Sequence, residues 1–185
     1  LKKDSLFQLG KFLYKSALQH PTKFGLYIAE EYNKILFLFS YLMGKKLVVC
    51  DLDNTLWDGV IGEGKVNHFI DRQEILLRLK SNGVLLAINS KNDLNNIRWD
   101  GGVLSDKDFV FQSVNWEPKI NAFPQMQRRL NLKIKDFIFI DDRLDELELV
   151  ETTFPAVKCF DATSAQSWEL LELWADIIED THDLD

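Results

Sequence analysis

Apolar side chains in the first quarter of the chain recur every three to four positions, over residues 6–13 and again over 23–43. This spacing gathers them on one side of a helix, so the pattern predicts two helices. The break between them falls at His20-Pro21-Thr22, and Gly44 ends the second helix. We expect these helices to pack their apolar stripe against the remainder of the chain, with a surface for a partner protein as the alternative.

After Gly44 the pattern changes to short, continuous apolar runs, which are typical of strands covered on both faces. Clear runs occupy residues 47–50, 84–88 and 137–140, and weaker runs occupy 109–111 and 156–160. Helical patterns lie between them at about 71–82, 93–99, 118–131, 143–152 and 164–178. This alternation predicts an α/β fold in which a parallel sheet carries helices on both faces.

The pattern divides the chain into an N-terminal helical segment (1–44), an α/β domain (45–178) and an acidic tail (179–185). The segment between Asp53 and the helix near residue 71 has room only for a hairpin-like flap. The segment between Ser90 and Lys119 is already used by a helix and a strand. We therefore expect no large cap domain, and an open site that a macromolecule such as a carrier protein could cover.

Composition narrows the function classes. A chain that is 46% hydrophobic and 28% charged is typical of a globular protein, and its net charge of −7 argues against a nucleic-acid binder. No apolar stretch reaches the roughly 20 residues that a membrane span needs. Cys50 and Cys159 are predicted to be buried structural residues in a reducing, cytoplasmic setting. The chain opens at Leu1 without a signal-peptide pattern, which fits a piece of a longer protein.

Chemically active side chains follow the apolar runs. Ligands of open parallel sheets bind outside the carboxyl ends of the strands, so residues that follow different strands meet at one edge. The residues in these positions are Asp51, Asp53, Ser90, Asp141 and Asp142, with Lys119 at the head of the helix after the third run. Four carboxylates, a hydroxyl and an ammonium group are thus predicted to converge.

A cluster of carboxylates needs a positive charge, because like charges a few ångströms apart raise one another's pKa. Oxygen ligands select a hard cation, and Mg²⁺ binds one or two carboxylates together with substrate phosphate. A carboxylate can also act as a nucleophile toward phosphorus, and a second one can move the proton. Lys119 would stabilise the charge of the transferring group.

These residues resemble the four motifs of the haloacid dehalogenase (HAD) superfamily, in order: Asp51-x-Asp53-x-Thr55, Ser90, Lys119 and Asp141-Asp142. The string over 51–63, DLDNTLWDGVIGE, resembles one branch, the FkbH-like proteins. The strings SKN at 90–92, NWEPK at 115–119 and FIDD at 139–142 resemble the same branch. The resemblance covers about residues 25–160.

The resemblance implies a Rossmann-like core in which Asp51 attacks phosphorus and Asp53 is the general acid/base. It implies Mg²⁺ held by Asp51, the Asp53 carbonyl and a carboxylate of Asp141 or Asp142. The phosphoryl group would be bound by Ser90 and Lys119, with Thr55 and Asn92 as further candidates. FkbH-like proteins load a three-carbon glyceryl unit from a phosphoglyceryl donor onto an acyl carrier protein and remove phosphate, as a step of biosynthesis.

One departure bears on this function. Resembling proteins usually have Cys before the Ser-Lys-Asn string, where this chain has Asn89, and an amide forms no thioester. Three hypotheses follow: an FkbH-like enzyme acting with a carrier protein, a plain phosphatase for a sugar phosphate or phosphoprotein, and a non-catalytic module of a larger synthase. The presence of Asp51, Asp53 and Lys119 argues against the third.

Several side chains have two interpretations. Trp57 is either a core aromatic residue or part of the site entrance, whereas Trp116 is predicted to pack in the core. Asn92 and Arg143 either contact substrate or shape their loops. His68, in the loop region after Asp51, is a substrate-contact candidate of lower rank. No histidine of the sequence has metal-ligand spacing.

Overall fold

The computed structural model describes residues 22–182, so the helix predicted over 6–13 and the end of the acidic tail lie outside the described residues. The chain divides into two compact units, one ending at Met43 and the other beginning at Gly44. In the first unit, helix α1 (Thr22–Phe37) continues into a π-helical turn at Leu38–Leu42. The backbone N–H of Met43 donates to the carbonyl of Leu38 at 3.0 Å and closes that turn.

The second unit contains seven strands and four α-helices among its described residues. In chain order these are β1 (Leu47–Cys50), β2 (Trp57–Asp58), β3 (Asn67–His68), α2 (Ile70–Ser81), β4 (Leu85–Ser90), β5 (Phe111–Val114), α3 (Ala122–Leu130), β6 (Phe137–Asp141), α4 (Leu144–Thr153), β7 (Lys158–Asp161) and α5 (Ala165–His182). Five strands form one parallel sheet in the order β5-β4-β1-β6-β7. The predicted α/β fold is confirmed.

Both faces of the central strand are covered. Leu47 and Val49 pack with residues of α3 and α4 in a cluster that includes Phe123, whose ring centroid is 5.5 Å from that of Phe139. Val48 and Cys50 point to the opposite face, because side chains alternate along a strand, and they are also fully buried. This double burial explains why the strand reads as a continuous apolar run.

Two predicted elements differ from the structure. The helix predicted at 93–99 is wrong, because this segment holds only a short 3₁₀ turn at Leu94–Asn96. The Asp93 side chain accepts from the Asn95 N–H, and such local bonds compete with helix formation. The strand predicted at 109–111 lies later, at Phe111–Val114, because pairing with β4 and not the apolar run sets its limits. Phe109 instead stacks on Trp99, with ring centroids 5.4 Å apart.

The predicted flap is a small hairpin. Strands β2 and β3 pair in antiparallel fashion, with Trp57 opposite His68. Gly59 has a φ of 98°, a left-handed value that suits glycine where the chain turns away from β2. Residues 44–182 include no separate cap domain beside this hairpin. No helix in the described part of the chain is long and apolar enough to cross a membrane.

Candidate active site

A buried lysine joins the ends of the two central strands. Asp51 directly follows β1, and its backbone N–H donates to the carbonyl of Ile140 at 2.9 Å. The Lys119 Nζ lies 2.7 Å from Asp51 Oδ1 and 2.5 Å from Asp141 Oδ2. All three side chains are at least 95% buried. The structure therefore brings together three of the residues that the sequence assigned to this edge.

The charges at this centre are unbalanced. Burial raises the pKa of Asp51, and the bonds from Lys119 and Ser90 oppose this rise without cancelling it. Burial, followed by the charge of Asp51, also raises the pKa of Asp141. Burial acts to lower the pKa of Lys119, but the two carboxylates outweigh it and hold that pKa above its usual value. One ammonium group thus serves two buried carboxylates, which leaves negative charge in excess.

A third carboxylate completes a candidate metal site. Asp51, Asp141 and Asp142 each offer an oxygen atom, and these atoms lie within 4.8 Å of one another. Three converging carboxylate oxygens suit a hard cation, and the excess negative charge favours a divalent one. Both Asp141 and Asp142 have an atom in this group, whereas the side chain of Asp53 does not. The Asp53 carbonyl, the atom assigned to the metal by resemblance, stays a prediction.

Asp53 is held by the flap instead. Its Oδ1 accepts from Trp57 Nε1 at 2.7 Å and from the Ile61 backbone N–H at 3.1 Å. Its Oδ2 accepts from Asn92 Nδ2 at 2.9 Å. Trp57 is fully buried, so the core alternative for this residue agrees with the structure, and its indole N–H also orients Asp53. Two carboxylates two residues apart are therefore fixed by different partners.

The four predicted phosphate ligands fall into two groups. Ser90 and Lys119 line a cavity beside Asp51 that has a volume of about 260 Å³. Thr55 and Asn92 are not among the residues that line it. Thr55 is fully buried, and its hydroxyl has no hydrogen-bond partner among the described residues. Asn92 uses its amide on Asp53 and on the Asp93 N–H, which gives it a positioning role in this structure.

Asn89 also has a structural partner. Its side chain is buried, and its Nδ2 donates to the backbone carbonyl of Lys119 at 2.9 Å. This bond fixes the start of the segment that delivers the Lys119 ammonium group to the two carboxylates. Asn89, which stands where the resembling FkbH-like proteins usually have Cys, thus positions the lysine.

The cavity includes residues that sequence reasoning assigned elsewhere or missed. The prediction that Trp116 packs in the core is wrong, because its side chain is 75% exposed and lines the cavity. Arg143 lines it as well. The sequence analysis did not identify Lys91 and Glu146 as residues of the site. Lys91 is next to Ser90 in the chain, and Glu146 lies in the first turn of α4, and these positions are the nearest signals in the sequence. The remaining lining residues are Asp51, Asp53, Asn54, Val60, Ser90, Lys119 and Asp142.

His68 lies at a different cavity. Its Nδ1 is 2.9 Å from Gln73 Nε2, and it lines a volume of about 460 Å³ together with Arg98 and Asp100. None of these residues is among those that line the cavity beside Asp51. The structure therefore places His68 next to Trp57 in the flap but not at the cavity beside Asp51.

Neither a protein-family model nor a curated protein matches this sequence. Among solved structures, the N-terminal part of a Bacteroides fragilis protein, containing a phosphatase domain and complexed with Mg, is 26% identical with a TM-score of 0.66. That similarity covers 75% of this chain and 43% of the B. fragilis chain, so this chain spans less than half the length of the B. fragilis chain.

Two more distant structures share the architecture. A putative HAD-superfamily (subfamily III A) hydrolase from Legionella pneumophila is 16% identical over 85% of this chain and 100% of its own, with a TM-score of 0.58. A probable YrbI-family phosphatase from Pseudomonas syringae is 16% identical over 76% and 93%, with a TM-score of 0.52. The chain has the HAD-type α/β fold, as the motifs predicted. The structural neighbours do not identify the FkbH-like branch.

The buried lysine generates a stability prediction. Lys119→Met keeps the volume but leaves Asp51 and Asp141 facing each other without a buried cation, so we expect a loss of about 3–5 kcal/mol in the free energy of unfolding. Urea denaturation measures this loss. Lys107→Met, at an exposed lysine, is the matched control and should change stability by less than about 0.5 kcal/mol. Equal stability of the two variants would show that Lys119 is not needed to neutralise the centre.

Proposed function

We propose that this chain is a Mg²⁺-dependent phosphatase that hydrolyses a small phosphomonoester through an aspartyl-phosphate on Asp51. The observation that carries the proposal is the position of Asp51, buried at the cavity, bonded to Lys119 and grouped with Asp141 and Asp142. The Mg complex and phosphatase domain of the B. fragilis structure support the same class of chemistry. The two free, buried cysteines fit the reducing, cytoplasmic setting expected from the sequence.

The residues present fit a magnesium ion. Asp51, Asp141 and Asp142 would hold it, and the Asp53 carbonyl is the further ligand that the resemblance adds. When bound, the ion would neutralise the excess carboxylate charge and stabilise negative charge on the phosphoryl oxygens. Lys119 supplies the second positive charge at this position.

The two carboxylates divide the reaction between them. Asp51 attacks phosphorus, the bond from phosphorus to the leaving oxygen breaks, and Asp53 gives its proton to that oxygen. Asp53 then takes a proton from a water molecule, which attacks phosphorus and releases phosphate and the free Asp51 carboxylate. Ser90 and Lys119 bind the phosphoryl oxygens in both steps. Trp57, Ile61 and Asn92 keep the Asp53 carboxylate in one orientation throughout.

Glyceryl transfer to an acyl carrier protein is the second candidate, and the resemblance over 51–63 together with the small cavity favours it. It requires a residue that carries the glyceryl group. Asn89 is bonded to the Lys119 carbonyl, and burial raises the pKa of Cys50, with a smaller contribution from Asp51. Burial also raises the pKa of Cys159 to about 12. Because neither thiol is exposed or readily ionised, hydrolysis is the preferred proposal.

The first test replaces the nucleophile. Asp51→Asn keeps the shape but removes the attacking oxygen anion, so phosphate release from p-nitrophenyl phosphate should fall at least about 10³-fold. The melting temperature should not fall, because Lys119 keeps Asp141 as a partner. Asp106→Asn, at an exposed carboxylate, is the control and should retain turnover. The proposal fails if Asp51→Asn remains active, or if wild-type turnover survives EDTA and gains nothing from millimolar Mg²⁺.

The second test concerns the proton donor. Trp57→Phe removes one hydrogen bond to Asp53, a type worth about 1.5–3 kcal/mol when one partner is charged. We expect kcat/KM for an alkyl phosphate to fall about tenfold to a hundredfold. The effect on p-nitrophenyl phosphate should be much smaller, because its leaving group needs little protonation. The control for altered packing is Trp99→Phe, because the ring of Trp99 packs edge-on against that of Trp57. An equal loss of kcat/KM on both substrates would show that Trp57 supports the fold and does not orient Asp53 for proton transfer.

The third test separates the two candidate functions. The protein is incubated with 1,3-bisphosphoglycerate and Mg²⁺, and its intact mass is then measured by mass spectrometry. No stable glyceryl adduct should appear, because both thiols are buried and neither lines the cavity beside Asp51. A sample without donor gives the reference mass. A hydroxylamine-sensitive adduct mapped to Cys50 or Cys159 would instead favour the transferase.

A further inference from the structure

The turn that follows β1 brings Asp53 to the cavity with a constrained backbone. The carbonyl of Leu52 accepts from the N–H of Thr55 at 3.1 Å and from the N–H of Leu56 at 2.8 Å. These two bonds close the turn around Asp53 and Asn54. Asn54 has a φ of 56°, a left-handed value that is uncommon for a residue with a side chain. The surrounding structure must therefore hold this turn in its shape.

Helix α2 begins beside this turn and binds three of its carbonyl groups. Nη1 of Arg72 donates to the carbonyl of Asn54 at 3.2 Å and to that of Thr55 at 2.9 Å. The carbonyl of Leu56 accepts from Gln73 Nε2 at 2.9 Å. Three consecutive carbonyls of the turn thus have donors on one helix. Arg72 holds the two that are nearest in the chain to the proposed proton donor.

The guanidinium group of Arg72 packs against two aromatic rings. Its Cζ lies 3.9 Å from the centroid of the Phe69 ring and 5.1 Å from that of the Trp168 ring in α5. Trp168 is buried and donates from Nε1 to the carbonyl of Ala162 at 2.9 Å, so its ring is itself fixed. Lysine has no planar group that could contact the rings and bond to both carbonyls, so this environment favours arginine.

A second arginine of the same helix has a different role. Arg78 pairs through Nη2 with the carboxylates of Asp176 and Glu179, both in α5. Its charge therefore joins two helices at a partly exposed surface. The Nη1 group of Arg72 donates instead to backbone carbonyls of the turn. The two residues provide a comparison between an arginine that holds the turn and one that holds the helix pair.

We propose that Arg72 is a positioning residue for Asp53. Its guanidinium group keeps the turn over 52–56 in the shape from which the Asp53 carboxylate reaches the leaving oxygen. This inference rests on the proposed phosphatase function and adds to it a residue that is not among those lining the cavity. The flap and Asn92 orient the carboxylate itself, whereas Arg72 holds the backbone that carries it.

The nucleophile is held independently of this turn. Asp51 is bonded through its carboxylate to Lys119 and through its backbone N–H to the carbonyl of Ile140 in β6. Loss of the Arg72 bonds should therefore impair donation of the proton to the leaving group while the attack on phosphorus continues.

The test compares two esters of similar shape, phenyl phosphate and p-nitrophenyl phosphate. Phenol is the weaker acid, so its oxygen needs the proton as it leaves. Arg72→Met removes both hydrogen bonds but keeps an unbranched side chain against the rings. We expect kcat/KM to fall about tenfold for phenyl phosphate, part of the roughly 10²–10⁴-fold that a placed acid contributes, and less than about twofold for p-nitrophenyl phosphate. Because kcat/KM includes only the steps up to loss of the leaving group, the later action of Asp53 on water does not enter.

Two further variants complete the design, and melting curves establish that each variant folds. Arg72→Lys restores one donor without the planar contacts, so its ratio of kcat/KM values for the two esters should lie between those of wild type and Arg72→Met. It decides the question if Arg72→Met does not fold. Arg78→Met is the matched control on the same helix and should keep the wild-type ratio, even where its melting temperature falls.

The outcomes distinguish this inference from the function on which it rests. An unchanged ratio in the folded Arg72 variants, an equal fall on both esters, or the same change in Arg78→Met would overturn the positioning role while p-nitrophenyl phosphatase activity remains. Wild-type turnover of p-nitrophenyl phosphate alone would also overturn it, because no placed acid would then be at work. Lack of wild-type turnover with both esters would overturn the proposed function and this inference with it.

Discussion

The ammonium group of Lys119 between two buried carboxylates is the interaction on which the rest of the site depends. Asp51 and Asp141 are neighbours because β1 and β6 are adjacent strands in register, with Cys50 opposite Ile140. Two carboxylates removed from water at this spacing repel each other, so a buried cation is required for the strands to end in these residues. The Asn89 side chain donates to the backbone carbonyl of Lys119 and so helps to hold the lysine between the two carboxylates.

Asp53 lies outside this pairing and has a different environment. Its three hydrogen-bond donors come from the flap and from Asn92, and none of them carries a full charge. Asp51 is thus held by a cation and Asp53 by neutral N–H groups. In the proposed mechanism this difference separates the nucleophile from the proton donor, although the two residues are only two positions apart in the chain. In this scheme the flap contributes to catalysis by orienting Asp53. Residues 44–182 contain no separate cap domain that covers the cavity.

The sequence around the cavity resembles the FkbH-like proteins but lacks the thiol that they usually have next to the Ser-Lys-Asn string. Strings of sequence that resemble one branch surround a site in which the thiol position is occupied by a hydrogen-bonded amide. Both cysteines are buried among apolar residues. In the proposed mechanism, phosphate release depends on Asp51 and Lys119, whereas acyl carriage as in the resembling FkbH-like proteins would need a thiol that this edge of the sheet does not present.

The sequence by itself determined most of the sheet and the edge that carries the candidate site, because buried parallel strands leave continuous apolar runs and the residues that follow them must meet at one end. Asp51, Ser90, Lys119 and Asp141 could be named from that rule. Tertiary structure decided the rest. The segment over 93–99 is a turn because local side-chain bonds outcompete a helix, and β5 begins where pairing with β4 places it. Trp116, Lys91 and Glu146 line the cavity because loops and the first turn of α4 fold back toward Asp51, and no periodic pattern in a sequence records which loop residues approach one another across such a distance.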